Sequence, residues 1–291
     1  MTPLRRKMIE DLRLRNLADS TRDQYVRCVA TFAKFHGRSP HWLGQWHVRE
    51  FLLHLANRGL APATRKVYFA AIGFLYIHTL GRPEVMANIP RPRKGPDKEP
   101  RPLTREEVKV LLDSAASCPF DYTFLATLLA TGLRVTAACR LRTDDIDSRN
   151  GLLAVRNAKG RKNRIVRLGD RHLQTLRRYW CVVRPPGPWI FPAQRLLAPG
   201  RVHPTHRWAD HPVSSRTISL RLHKVRRRSG LVRNVTPHDL RRTYATWLIE
   251  EGVDLRTVQV LLGHASPNTT ARYTRVRPEL IRRTPSPLDL L

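Results

Sequence analysis

Residues 236–274 read T-P-H-D-L-R-R-T-Y-A-T-W-L-I-E-E-G-V-D-L-R-T-V-Q-V-L-L-G-H-A-S-P-N-T-T-A-R-Y-T, and the rest of the chain is organised around them. Thr236 is a good helix N-cap, Pro237 fits the first turn, and Asp239 suits the positive end of the helix dipole. The helix they start runs to Gly252 and puts His238 and Arg241, three residues apart, on one face. Leu240, Tyr244, Trp247 and Leu248 form the opposite, buried face. Asp254 caps a second helix whose Val258, Leu261 and Leu262 are core-like, and Gly263 ends it just before His264. A last helix begins at Ser266-Pro267 and carries Tyr273. Each polar residue has a plain role when taken singly: a histidine after a C-cap glycine is often a dipole partner, and a helical tyrosine is usually half-buried packing. Together, bases, cations and a hydroxyl nucleophile are what phosphoryl transfer to a protein side chain needs.

Composition points to the partner. The chain has 291 residues, enough for two ordinary domains, with 53 Lys plus Arg against 23 Asp plus Glu and a net charge of +30. Solubility needs only a few units of charge. An excess this large repels itself in a compact fold unless a polyanion offsets it, which implies a nucleic-acid partner. Arginine outnumbers lysine, which suits forked contacts to phosphate oxygens. Cys28, Cys118, Cys139 and Cys181 are scattered, so a reduced, cytosolic chain with no zinc site is expected. His203, His206 and His211 fall in a Pro-rich stretch without acidic or thiol companions, which reads as a solvated loop rather than a metal site. The N-terminus lacks an apolar signal core, and no apolar run approaches the roughly 18 residues of a membrane span.

Residues 1–89 read as a helical, DNA-binding domain. Ser20 with Asp23 reads as a helix start, followed by Tyr25, Val29, Phe32 and Phe35 at helical spacing and a stop at Gly37. A helix over 48–58 turns Phe51, Leu52 and Leu55 inward, and another runs from Pro62 to about Leu80 with Val67, Ala71, Phe74 and Leu75 buried. Arg58, Arg65 and Lys66 lie near their junction as candidate grips on DNA backbone, although a solvated charged face accounts for each singly. Residues 90–102, P-R-P-R-K-G-P-D-K-E-P-R-P, exclude a helix or central strand. They read as a semi-rigid basic linker whose Arg91, Arg93 and Lys94 can track a phosphate backbone.

Residues 103–284 form the second expected domain. Thr104 and Glu107 make a capping box, and 122–130 is an almost wholly apolar central helix broken at Thr131-Gly132. Arg134, so close to a buried helix, is costly unless it is paired or aimed at an anion. Runs at 152–156 and 164–168 flank a basic turn, N-A-K-G-R-K, and read as a hairpin. A lysine on that tip can protonate a leaving hydroxyl or touch phosphate, and spacing alone favours phosphate contact. Residues 185–213 read as a long loop or insertion. A helix over 215–229 presents Arg221, Lys224 and Arg227 to DNA and turns Leu220, Leu222 and Val225 inward, and Arg242 is a further DNA-contact candidate. Residues 285–291 are a tail.

In the order and spacing of its motifs the chain resembles a tyrosine recombinase of the phage integrase and Xer type. A-T-G-L-R-V (130–135) resembles the family's first arginine box and points to Arg134. A-K-G-R-K-N-R resembles its lysine hairpin and points to Lys159, with Lys162 the second candidate. H-D-L-R-R-T-Y-A-T resembles the His-x-x-Arg box (His238, Arg241), L-L-G-H-A-S the segment holding His264, and T-T-A-R-Y-T the nucleophile segment (Tyr273). One position departs: where the family often carries an acidic residue, in T-G-L-R-x-S-E, this chain has Ala137, so an acidic partner that would orient Arg134 is missing.

The resemblance implies a mainly α fold with a small β-hairpin or sheet. Its parts would be an N-terminal SAM-like helical core-binding domain and an α+β tyrosine recombinase catalytic domain, closing as a C-shaped clamp around DNA. It implies site-specific cleavage and rejoining of double-stranded DNA through a 3′-phosphotyrosyl link on Tyr273. Arg134 and Arg241 would clamp the phosphate, Lys159 would act as general acid, His238 as acid or base, and His264 as a phosphate hydrogen-bond donor. No metal or cofactor is implied. A homotetramer would form in the synaptic complex from monomers that associate weakly when free, and the tail, with Leu288, Leu290 and Leu291, reads equally as an anchor for docking on a neighbouring protomer or as a frayed terminus. A mobile-element recombinase in a bacterial cytoplasm, associated with the nucleoid, is the expected setting. The alternatives are a type IB topoisomerase-like relaxing enzyme and a DNA-binding protein of recombinase descent with weak catalysis.

Overall fold

Separate hydrophobic cores form in the two units of the chain, Met1–Glu99 and Pro100–Leu291. The computed structural model describes residues 1–93, 102–158, 162–194, 208–263, 284 and 286–288.

In the first unit, Thr2 caps helix α1 (Pro3–Leu14) by accepting from the Arg5 N–H. Helices α2 (Asp19–His36), α3 (Gln45–Asn57) and α4 (Pro62–Phe74) follow, and a single π-helical turn, Leu75–Thr79, extends α4. Ala18 rather than Ser20 stands at the start of α2, and its side chain makes no cap; Ser20 already lies inside the helix. Met8, Leu12, Phe32, Val48, Phe51, Ile72 and Leu75 fill the core. Tyr76 is buried among them, and its hydroxyl lies 3.0 and 3.2 Å from the carbonyls of Pro40 and Leu43, which satisfies the polar end of an otherwise apolar side chain.

The second unit is built on α6 (Pro119–Thr131), which is buried along nearly its whole length. Helices α5 (Arg105–Ala115), α8 (Asp170–Val183), α9 (Ser215–Arg228) and α10 (Pro237–Glu250) pack around it. Short α7 (Val135–Cys139) leads to an antiparallel sheet of β1 (Ile146–Asp147), β2 (Leu152–Ala158) and β3 (Lys162–Arg167). Its register pairs Leu153 with Val166 and Val155 with Arg164, so these four share the core-facing side. Helix α11 (Leu255–Leu262) closes the described part of the unit against α10, through Tyr244, Leu248, Val258, Leu261 and Leu262.

The structure corrects three sequence expectations here. Residues 185–213 are not a plain loop: β4 (Pro192–Gln194) pairs antiparallel with β5 (Trp208–Pro212). A two-stranded ribbon tolerates Pro192 and Pro212 because it has only outer edges. Ahead of β4, Phe191 is fully buried against Phe120, Phe124 and Tyr179. On α9, Leu220 is exposed, and Ile218, Leu222 and Val225 form the inward stripe. Leu288 of the tail is buried in the core of its own unit, while Leu290 and Leu291 lie outside the described residues. Among the described residues no helix is long and apolar enough to cross a membrane.

Candidate active site

The site forms where α6, α10, α11 and β3 meet. Helix α6 must end abruptly beneath it, and Gly132 does this with a left-handed φ of +58°. A side chain there would also overlap the Tyr244 ring, so the position is closed to any Cβ. The chain then turns to Arg134, the N-cap of α7, whose side chain is half-buried.

Helix α10 is set in rotation by its first turn. The Asp239 carboxylate accepts from the backbone N–H of Thr236 at 2.8 Å and from its hydroxyl at 2.6 Å. One turn on, the Thr243 hydroxyl accepts from the Leu103 N–H at 2.9 Å, tying the start of the unit to the helix. This rotation buries Leu240, Tyr244, Trp247 and Leu248, and it buries Arg241 as well, at 3% exposure. The face expected to be open at Arg241 is covered by the end of α11.

That burial gives Arg241 its geometry. Its Nη1 donates to the Gly132 carbonyl at 2.7 Å and its Nη2 to the Leu262 carbonyl at 2.6 Å. Arg134 Nη1 reaches the Gly263 carbonyl at 3.4 Å. Leu262 and Gly263 are the last turn of α11, where carbonyls lack helical partners and the dipole is negative. Guanidinium groups are well placed there, but backbone carbonyls carry no formal charge. Among the described residues no carboxylate pairs with Arg134 or Arg241, so the missing acid at Ala137 is not replaced by another. Burial, with Arg134 and Arg164 adding to it, pulls the Arg241 guanidinium down to about 9, which leaves it cationic at neutral pH. The result is a pair of oriented cations with no counterion among the described residues, as an anion site requires.

His238 stands at the exposed rim of the same group. Partial desolvation, then Arg242, Arg241 and Arg134, hold its imidazole below the ordinary value against the opposing pull of Asp239. It is therefore neutral, and able to accept a proton, to a lower pH than a free histidine.

Sequence reasoning missed one member. Arg164, 9% exposed on the core side of β3, donates through Nη1 to the Leu262 carbonyl at 2.6 Å, the same oxygen that holds Arg241. The available signal was strand alternation: Val166 and Leu168 are core-facing, which puts Arg164 on the same side.

The other candidates fall into different places. Lys159, His264, Tyr273 and Lys94 lie outside the described residues, as does the side chain of Lys162. Arg58, Arg91 and Arg93 are exposed, and Arg65 and Lys66 are half-buried along α4. Lys224 and Arg227 are exposed on α9, and Arg242 is exposed beside Asp239 at 3.4 Å. Arg221 departs from the expected DNA-facing role. It turns inward, with its Nε 2.5 Å from Asp121 Oδ1, its Nη2 3.3 Å from Cys118 Sγ, and its guanidinium over the Phe120 ring.

Residues 101–279 match the Phage integrase family, and residues 4–84 match the Phage integrase, N-terminal SAM-like domain. The chain belongs to the phage integrase family. Members of this family, the tyrosine recombinases, are enzymes that cleave and rejoin DNA strands. The putative integrase/recombinase y4qK of Sinorhizobium fredii (strain NBRC 101917 / NGR234) is 38% identical over all of this chain and 90% of its own length. Tyrosine recombinase XerA of Thermococcus kodakarensis (strain ATCC BAA-918 / JCM 12380 / KOD1) is 30% identical over 92% of this chain and 96% of its own. The fold resembles that of a lambda integrase tetramer bound to a Holliday junction, with TM-score 0.70 and 21% identity over 90% of this chain and 76% of that one. It also resembles XerH recombinase in a post-cleavage complex with a difH substrate, with TM-score 0.66 and 23% identity over 90% of this chain and 78% of that one.

Proposed function

We propose that this recombinase cuts double-stranded DNA by attack of Tyr273 on a backbone phosphodiester. The Tyr273 oxygen forms a bond to phosphorus as the bond to the 5′-oxygen breaks. The products are a 3′-phosphotyrosyl link and a free 5′-hydroxyl. His238 takes the tyrosine proton and Lys159 gives one to the leaving 5′-oxygen. Arg134 and Arg241 hold the non-bridging oxygens and His264 adds a hydrogen bond. Rejoining is the same sequence in reverse with a different 5′-hydroxyl. One phosphodiester replaces another, so no external energy source is required.

The observation that carries this reading is the orientation of Arg134 and Arg241 by backbone carbonyls, beside His238. The motif order assigns the remaining roles. Assembly on two DNA sites as a tetramer is supported by the resemblance to the lambda integrase tetramer on a Holliday junction. Action on a mobile element is supported by the integrase/recombinase relatives and by the fold shared with the Tn1549 transposon integrase.

The test is a nicked suicide duplex that traps the covalent complex, with candidate sites supplied from DNA flanking the gene. Wild-type protein is expected to give an adduct and Tyr273→Phe none. Absence of an adduct with wild type, or its persistence in Tyr273→Phe, overturns the reading. Relaxation of any supercoiled plasmid without site preference would instead identify a topoisomerase-like enzyme.

A further inference from the structure

Arg164 has no part in the reaction as written, yet the end of α11 is shaped around it. It occupies the buried side of β3 opposite Val155, a position the sheet register reserves for core residues. It shares the Leu262 carbonyl with Arg241, each donor at 2.6 Å, and a carbonyl oxygen has the two lone pairs this needs. The adjacent Gly263 carbonyl accepts from Arg134. Gly263 has φ +61°, and a Cβ there would overlap Arg164 Nη1. The glycine is therefore required by the backbone turn and by the arginine together.

We infer that Arg164 is a positioning residue for the phosphate clamp. Its guanidinium fixes the Leu262–Gly263 carbonyl pair, and that pair sets the directions of Arg241 and Arg134. The inference rests on the clamp reading above. The last carbonyls of a short helix have no internal partners, so an outside donor decides where they point. Arg164 is anchored on a strand paired to β2, which makes it a rigid donor. It also couples the strand that leaves the lysine hairpin to the arginines of the site. Lysine cannot substitute: it keeps the charge but replaces a planar fork with a flexible point donor.

Arg164→Lys and Gly263→Ala perturb the same contact from opposite sides. The first removes the fork and keeps the charge; the second keeps Arg164 and displaces it. Each full-length variant is first checked for folding by thermal melting. Adduct formation on the nicked suicide duplex is then followed in single turnover at saturating protein, recording rate constant and amplitude separately. The expected result is a rate constant lower by roughly 10²-fold in both variants, the usual cost of misplacing a catalytic group by about 1 Å. Affinity for intact duplex should stay within a few-fold. A purely structural residue would lower the amplitude, through the folded fraction, and leave the rate constant alone. A wild-type rate constant in whichever variant folds overturns the inference. Failure of wild-type protein to form any adduct overturns the function proposed above instead.

Discussion

The arginines around the end of α11 and those along α9 make opposite use of the same side chain. Arg134 and Arg241 are held by the carbonyls of Gly263, Gly132 and Leu262, which orient a guanidinium without neutralising it. Arg221 is held by Asp121, which neutralises it, and Arg228 reaches the same carboxylate at 3.9 Å. Lys224 and Arg227 on α9 are exposed. A count of basic residues treats all of these alike. Their acceptors separate them: carbonyl-held cations keep their charge for a ligand, carboxylate-held ones bind the fold together, and exposed ones add long-range attraction.

Substitutions that break this contrast should differ in size and in kind. The largest effect on stability is expected at Gly132, whose carbonyl holds Arg241. Gly132→Ala places a Cβ inside the Tyr244 ring at positive φ, so it should cost roughly 4 kcal/mol by chemical denaturation and slow adduct formation as well. A change under ~1 kcal/mol would mean that the α6 end can move without cost to the site.

A buried histidine gives the next effect, and it titrates the fold rather than the site. His172 is fully buried on α8 with Nε2 3.0 Å from the Thr127 hydroxyl, and burial pulls it down to about 4. The Thr127 hydroxyl donates to the Thr123 carbonyl, so it accepts from Nε2–H and the ring is neutral. Its folded value lies below the ordinary 6.5, so its contribution is complete above 6.5 and is lost as pH falls from there towards 4. About 3 kcal/mol should disappear over that window in urea titrations, and less in His172→Gln. Equal losses in both proteins would show that other groups control acid stability.

Arg221→Ala should cost about 2 kcal/mol in stability, because Asp121 loses its charged donor, with little change in the rate constant for adduct formation. The double substitution with Asp121→Ala should recover part of that loss. A large fall in rate at unchanged stability would put Arg221 in the DNA contact after all. Arg227→Ala should be smaller still: affinity falls modestly and the slope of log affinity against log salt weakens by about 0.9, one phosphate contact. An unchanged slope would remove Arg227 from the interface.

These contrasts show what the sequence made legible. The α10 helix was readable because Thr236, Pro237, Asp239 and Gly252 mark its ends, and His238 and Arg241 followed from its pitch. The burial of Arg241 was not readable, because the element that covers it, the end of α11, arrives by tertiary packing. Arg164 was legible only in part: its alternation with Val166 and Leu168 points it inward, against the usual exposure of arginine, and the pairing of Val155 with Arg164 places it inside and leaves Ile165 partly exposed. Arg221 sits between Ile218 and Val225 on the inward stripe of α9, and only Asp121 on a distant helix decides its direction. The β4–β5 ribbon was masked by its prolines, which argue against a strand in a large sheet but not in a two-stranded one.

The most direct test of the central claim is the single-turnover rate of adduct formation by Arg241→Lys at saturating DNA. Lysine keeps a positive charge but cannot span the Gly132 and Leu262 carbonyls while facing a phosphate. The account predicts a rate constant lower by about 10²–10³-fold, the cost of losing one oriented donor in the transition state, with DNA affinity nearly unchanged. A wild-type rate constant in Arg241→Lys would contradict it, since charge alone would then suffice and the carbonyl-held geometry would have no catalytic meaning.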